Sequence, residues 1–142
     1  MRPTSLRRRP PRDPRARLAG LMMLPRTIDK ARALLPGGDP GDYSIAPGLS
    51  AWLLGEAGLS EAEFLVIVHR AADEHEVARI IQERVDPQRC DVLNAHMKEL
   101  RVRDLPHDEH ERFVLRHGGA KDDELIVDVL VADDRGMLEA VR

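Results

Sequence analysis

Leu24-Pro25-Arg26-Thr27-Ile28-Asp29-Lys30-Ala31-Arg32 is the stretch on which the reading of this chain turns. Pro25 cannot sit inside a helix without clashing with the carbonyl four residues back, but its fixed φ suits a first helical turn. The spacing therefore predicts a helix over residues 25–35. Leu24, Ile28, Ala31 and Leu35 recur at i, i+4, i+7 and i+11, which is one buried stripe, and Gly37-Gly38 closes it. Arg26, Asp29 and Lys30 fall together on the opposite side.

Outward from that helix, the neighbours read as helices too. Toward the N-terminus, Asp13-Pro14 offers a cap and a proline start, and Leu18, Leu21 and Met22 follow at helical spacing. A helix is expected from there to about Met23. Before it, residues 1–17 hold seven arginines (Arg2, Arg7, Arg8, Arg9, Arg12, Arg15, Arg17) against Asp13 alone, so this end carries +6 and the remainder −9. Pro3, Pro10, Pro11 and Pro14 interrupt it, and residues 1–12 are expected to be a disordered basic arm preceding a single helical domain at 13–142. Nucleic-acid tethering through that arm is a minor alternative. Arginine supplies 19 of the 22 basic residues throughout, with only Lys30, Lys98 and Lys121 as lysines, and no aromatic-lined basic groove accompanies it. Arg7-Arg8 is followed by Pro10-Pro11-Arg12-Asp13 and not by an apolar stretch, so an export signal is rejected.

Toward the C-terminus, residues 37–50 hold four glycines and two prolines around Asp42-Tyr43, a long loop beside the polar group. Tyr43 reads either as part of a pocket or as an anchor that packs the loop down. A short helix then begins at Leu49-Ser50, with Trp52, Leu53 and Leu54, and stops at Gly58. Ser60 and Glu63 make a capping box flanked by Leu59 and Phe64 as a hydrophobic staple. Asp73 with Glu76 repeats the cap, and Asp86-Pro87 opens a helix bearing Cys90, Leu93, Met97 and Leu100. A Pro106-led helix runs to His117 and Gly118-Gly119. Within residues 122–132, Ile126 to Val131 has strand-like β-branched content, yet a lone strand would lack a partner, and the segment is expected to be helix capped by Asp122. The whole reads as an all-α, compact bundle of about seven or eight short helices.

Composition narrows the function. At 142 residues, 42% hydrophobic and 3% aromatic, the core must be aliphatic. No apolar run approaches the ~18 residues of a membrane span. Cys90 is the one cysteine, which excludes an internal disulfide and favours a reducing, cytoplasmic setting. His107, His110 and His117 share an arc with Glu111, but Phe113 and Val114 share it as well and no metal-ligand spacing is met, so no metal is assigned. Cys90 lies on an apolar stripe and reads as core. The serines lack a nucleophile elbow, and Gly37-Gly38-Asp39-Pro40-Gly41 is not a phosphate loop. Asp122-Asp123 and Asp133-Asp134 read as acids flanking the last helix.

No catalytic residue and no cofactor is assigned. What remains is the ligand-binding candidate Arg26, Asp29 and Lys30, completed by Asp42 and Tyr43 for a small anionic ligand. The competing reading pairs Asp29 with Arg26 and with Arg101 or Arg103 from another helix. The leading expectation is a binding or structural-interaction module with a protein partner. The alternative is an enzyme or sensor for a small anionic metabolite at the Arg26/Asp29/Lys30 group.

Gly20-Leu21, Leu24 through Arg32, Tyr43, Pro47-Gly48-Leu49-Ser50, Trp52-Leu53-Leu54, Gly58-Leu59-Ser60, Asn94-Ala95, Arg101-Val102-Arg103-Asp104 and Asp133-Asp134 together resemble, in order, the bacterial family called domain of unknown function 5069. The resemblance spans residues 13–135. It implies a small helical bacterial protein and brings no activity, cofactor or catalytic residue with it.

Overall fold

The computed structural model describes residues 1–141. It is an all-α bundle with one two-residue hairpin: β1 (Arg17–Leu18), β2 (Leu21–Met22), α1 (Leu24–Ala33), α2 (Leu49–Glu56), α3 (Glu61–Arg70), α4 (Glu74–Arg84), α5 (Pro87–Glu99), a 3-10 turn (Val102–Asp104), α6 (His107–Arg116) and α7 (Ile126–Ala140). No helix among the described residues is long and apolar enough to cross a membrane.

α1 lies at the centre, packed on α3, α2 and the hairpin, while α5 packs on β2 and α7. Its apolar stripe is core as expected, with Leu24, Ile28, Ala31 and Leu35 all buried. The local signals read from the sequence operate at α3, α4 and α5. Ser60 and Glu63 form the reciprocal capping box, Asp73 accepts from the His75 and Glu76 amides, and Asp86 accepts from the Arg89 amide. Leu59 and Phe64 are both buried beside the box.

Two expectations are corrected. Residues 14–23 are not a helix: β1 and β2 pair antiparallel around Ala19 and Gly20, whose φ values of 55° and 76° match the left-handed turn a tight hairpin requires. The i, i+3, i+4 spacing of Leu18, Leu21 and Met22 fits either form, and a tertiary contact decides between them. Asn94 accepts from the Met22 N–H at 3.0 Å and donates to the Gly20 carbonyl at 2.8 Å, which satisfies groups a helix would have paired internally. Leu21, Met22, Met23 and Leu24 are all buried in succession, more than one helix face can hide.

The 1–12 segment, expected as a disordered arm, lies along the loop that follows α1. Thr4 N–H donates to the Arg32 carbonyl, Leu6 N–H to Asp39 and Asp39 N–H back to Thr4, and Leu6 is buried. Proline forbids helix here but leaves an extended backbone free to pair along the loop that follows α1. At the other end the last helix begins at Ile126, not at Asp122. Residues 122–125 form a turn that ends in a bridge between Leu125 and Arg101, and they do find a partner, since Val102 N–H donates to Glu124, Arg103 N–H to Asp122 and Ile126 N–H to Leu100. Asp133 and Asp134 consequently lie inside α7 and do not flank it.

Candidate functional site

The polar side of α1 does not face water. Arg26 is 1% exposed and Lys30 9%, so both point into the protein, and each must be satisfied by groups from distant parts of the chain. Arg26 finds Asp134 on α7: Nη1 donates to Oδ2 at 2.7 Å and Nη2 to Oδ1 at 3.0 Å, a bidentate pair that is itself buried. Nη1 also donates to the Arg12 carbonyl at 3.2 Å, while Nε is buried with no partner among the described residues. The Tyr43 hydroxyl donates to Asp134 Oδ1 at 2.9 Å, and its ring lies 5.7 Å from the Arg26 guanidinium carbon. Tyr43 thus anchors the long loop onto α1 and α7. Burial, and then the hydrogen bond to Asp134, hold its hydroxyl well above the ordinary tyrosine range.

Lys30 is less well provided for. Its ammonium has one hydrogen bond among the described residues, to Ser50 Oγ at 3.4 Å. The Thr27 hydroxyl gives its single proton to the Met23 carbonyl at 2.8 Å, so in the 2.9 Å contact between Thr27 and Ser50 it is Ser50 that donates. A chain runs from Lys30 through Ser50 and Thr27 to the backbone of Met23, and that backbone is held at φ 72°. Burial first, then Arg26 and more weakly Arg116, push the Lys30 pKa down to about 7 against the opposing pull of Asp134. Arg116 reaches this region from α6, where it donates to Ser44 Oγ at 2.9 Å beside Tyr43. Ser50 sits in the first turn of α2, whose N-cap Gly48 offers no side-chain cap, so the positive end of the helix dipole lies beside the same group.

Of the residues singled out from the sequence, the structure brings Arg26, Lys30 and Tyr43 together and separates the others. Asp29 faces the outer side of α1. It accepts from the Arg12 backbone N–H at 2.8 Å and pairs with the Arg12 guanidinium, which also reaches Glu74 at 2.8 Å. Neither Arg101 nor Arg103 is its partner, because both lie beside the 122–125 turn. Asp42 is exposed, outside the hydrogen bonds of this group. Of two concavities, one of about 1090 Å³ between the 1–12 segment and α4 has Asp29 and Arg12 in its wall, and one of about 470 Å³ lies beside Gly20 and Cys90; neither is lined by Arg26, Lys30 or Tyr43. Tyr43 is the half-buried outer member of the buried group.

Four participants were not read from the sequence: Thr27, Ser50, Arg116 and Asp134. Asp134 left a legible trace. On α7 it follows Val127 and Leu130 at i+7 and i+4, a carboxylate on an apolar stripe, and a buried carboxylate needs a buried cation. Elsewhere His107 meets Glu111 on an exposed face, His110 meets Asp122 at 2.6 Å and His117 pairs with Asp133. These contacts point in different directions, and no group of three or more His, Cys, Asp or Glu among the described residues is placed to hold a metal. Cys90 is buried, its thiol pushed up by that burial, with Sγ 3.7 Å from the Ala19 carbonyl.

No curated protein matches the chain. The profile of the family described as Domain of unknown function (DUF5069) matches residues 8–135, a stretch that holds every member of the buried group, and the chain belongs to that family.

Proposed function

We propose that this protein is a binding module whose recognition group is the buried cluster around Lys30, and that its ligand is a small anion. The observation that carries this reading is the charge balance of the cluster. Arg26, Lys30 and, further out, Arg116 are three cations against the one carboxylate of Asp134, which already accepts two hydrogen bonds from Arg26 and one from Tyr43. Lys30 has one long hydrogen bond for three N–H donors. An anion beside it would supply the missing acceptor and the missing charge, and the uncapped first turn of α2 adds a favourable field. Arg26 serves as framework in this reading, since its fork is occupied. Asp29 and Asp42 drop out of the recognition set.

Thermal shifts in inorganic phosphate and in succinate, at constant ionic strength, test it. A rise in Tm with either anion is expected for the wild type and for Arg12→Ala, and its loss in Lys30→Met. Equal rises in the wild type and Lys30→Met, or no rise with either anion, would overturn the proposal.

A further inference from the structure

The larger concavity, about 1090 Å³ between the 1–12 segment and α4, has six arginines in its wall: Arg2, Arg7, Arg8, Arg9, Arg12 and Arg32. Three carboxylates share that wall, and each is already engaged. Asp29 and Glu74 pair with Arg12, and Asp73 caps α4 by accepting from the His75 and Glu76 amides. Arg7 pairs with Asp39. Arg2, Arg8, Arg9 and Arg32 have no carboxylate partner among the described residues, and Arg32 Nε donates to the Arg2 carbonyl instead. Four uncompensated guanidiniums around one cavity focus a positive potential there, which an anion relieves.

The backbone that carries Arg8 and Arg9 is held on both sides. Before them, Leu6 is buried, its N–H donates to the Asp39 carbonyl, and the Asp39 N–H returns to Thr4. After them, Pro11 is buried and the Arg12 N–H donates to the Asp29 carboxylate at 2.8 Å. A segment tied at both ends loses little further backbone freedom when a ligand arrives.

The chemistry of the wall selects the ligand. Each guanidinium fork matches two phosphate oxygens, and several forks around one space match several phosphates. Ser5 Oγ accepts from the Arg7 N–H at 3.3 Å, which leaves its own proton to donate. Tyr43, Trp52, Phe64 and Phe113, the aromatic residues of the chain, all lie outside the wall, so nothing there can stack a base. The acids gather at Arg12, and a long phosphodiester strand that ran on past that end would meet carboxylates. We propose that this cavity binds a short chain of linked phosphates, a pyrophosphate or triphosphate group, held by Arg8 and Arg9 with Arg2 and Arg32 beside them. The site shares no residue with the Lys30 group and stands without it.

Titration calorimetry of the full chain with sodium tripolyphosphate, ATP and inorganic phosphate, at constant ionic strength, tests it. Tripolyphosphate is expected to bind the wild type and Lys30→Met alike, at least about tenfold more tightly than phosphate, and at least about tenfold more weakly once Arg8→Gln/Arg9→Gln removes both forks. Arg8 and Arg9 are exposed, so their replacement leaves the packing intact, which an unchanged Tm checks. Arg103→Gln/Arg112→Gln takes the same charge from exposed positions outside the cavity and should leave the affinity unchanged. ATP identifies the source of the phosphates: binding no tighter than that of tripolyphosphate assigns the site to the phosphate chain alone, and tighter binding, weakened by the same pair of substitutions, assigns it to a nucleotide. Absence of tripolyphosphate binding, or an equal loss in the Arg103/Arg112 control, would overturn the proposal. So would a single-stranded oligonucleotide that binds more tightly and displaces tripolyphosphate, which would make the groove a nucleic-acid track. Loss in Lys30→Met with Arg8→Gln/Arg9→Gln unaffected would also overturn it, while leaving the Lys30 anion site standing.

Discussion

Arg26 and Asp134, separated by 108 residues, meet in the interior through two parallel hydrogen bonds of 2.7 and 3.0 Å. The pair clamps α1 to α7, and Tyr43 adds the long loop to the same carboxylate. Removing one partner strands the other's charge out of water. Asp134→Ala is expected to lose about 3–5 kcal/mol, read from urea unfolding, and the double variant Arg26→Met/Asp134→Leu to lose clearly less than Asp134→Ala. A double variant as weak as the single one would show that specific geometry, not stranded charge, sets the cost.

Lys30 gives a pH signature of known sign. Its folded pKa is about 7 against 10.5 for the free side chain, so the folded state binds fewer protons than the unfolded one between those values. Below about pH 7 both states are protonated and the full cost of burying the cation is present. That cost is relieved as pH rises through the window. Lys30→Met should therefore be more stable than the wild type at pH 6, by on the order of 3 kcal/mol, with the difference shrinking toward pH 10. Denaturant midpoints at several pH values check it, and a difference that does not change with pH would sink it.

Asn94 holds the hairpin from one side chain, through Met22 N–H and the Gly20 carbonyl. Asn94→Ala leaves two backbone groups without a partner, and a loss of about 1–3 kcal/mol follows from that alone. Amide exchange at Met22 should accelerate more than exchange in α3, which Asn94 does not touch.

Arg12 is the contrasting case. It bridges Asp29 and Glu74, but its side chain is 41% exposed, so water screens both pairs. Arg12→Ala is expected to change stability by less than about 1 kcal/mol, with a small rise in salt producing a similar loss in the wild type. A loss comparable to that of Asp134→Ala would mean the 1–12 segment is energetically part of the core.

What was legible in the sequence follows from the range of the signals. Capping residues, prolines at first turns and the stripe of Leu24, Ile28, Ala31 and Leu35 act within a few residues, so α1, α3, α4 and α5 were readable with their buried faces. The 14–23 region was not, because the same apolar spacing satisfies a helix and a hairpin, and the arbiter was Asn94, 72 residues beyond Met22. The start of α7 failed for the same reason, since the strand-like pairing of 122–126 with 100–103 appears only once both segments are placed.

The sequence by itself determined that α1 is a helix, where it starts, which side chains form its stripe, and that Arg26, Asp29 and Lys30 crowd its other side. Tertiary structure alone decided what that other side meets. α1 is central, so two of the three charges were driven inward to Asp134, Tyr43 and Ser50, and the third was left outside with Arg12. The physical reason is that helical periodicity encodes a direction around one axis, whereas burial of a charge depends on which distant groups arrive to meet it.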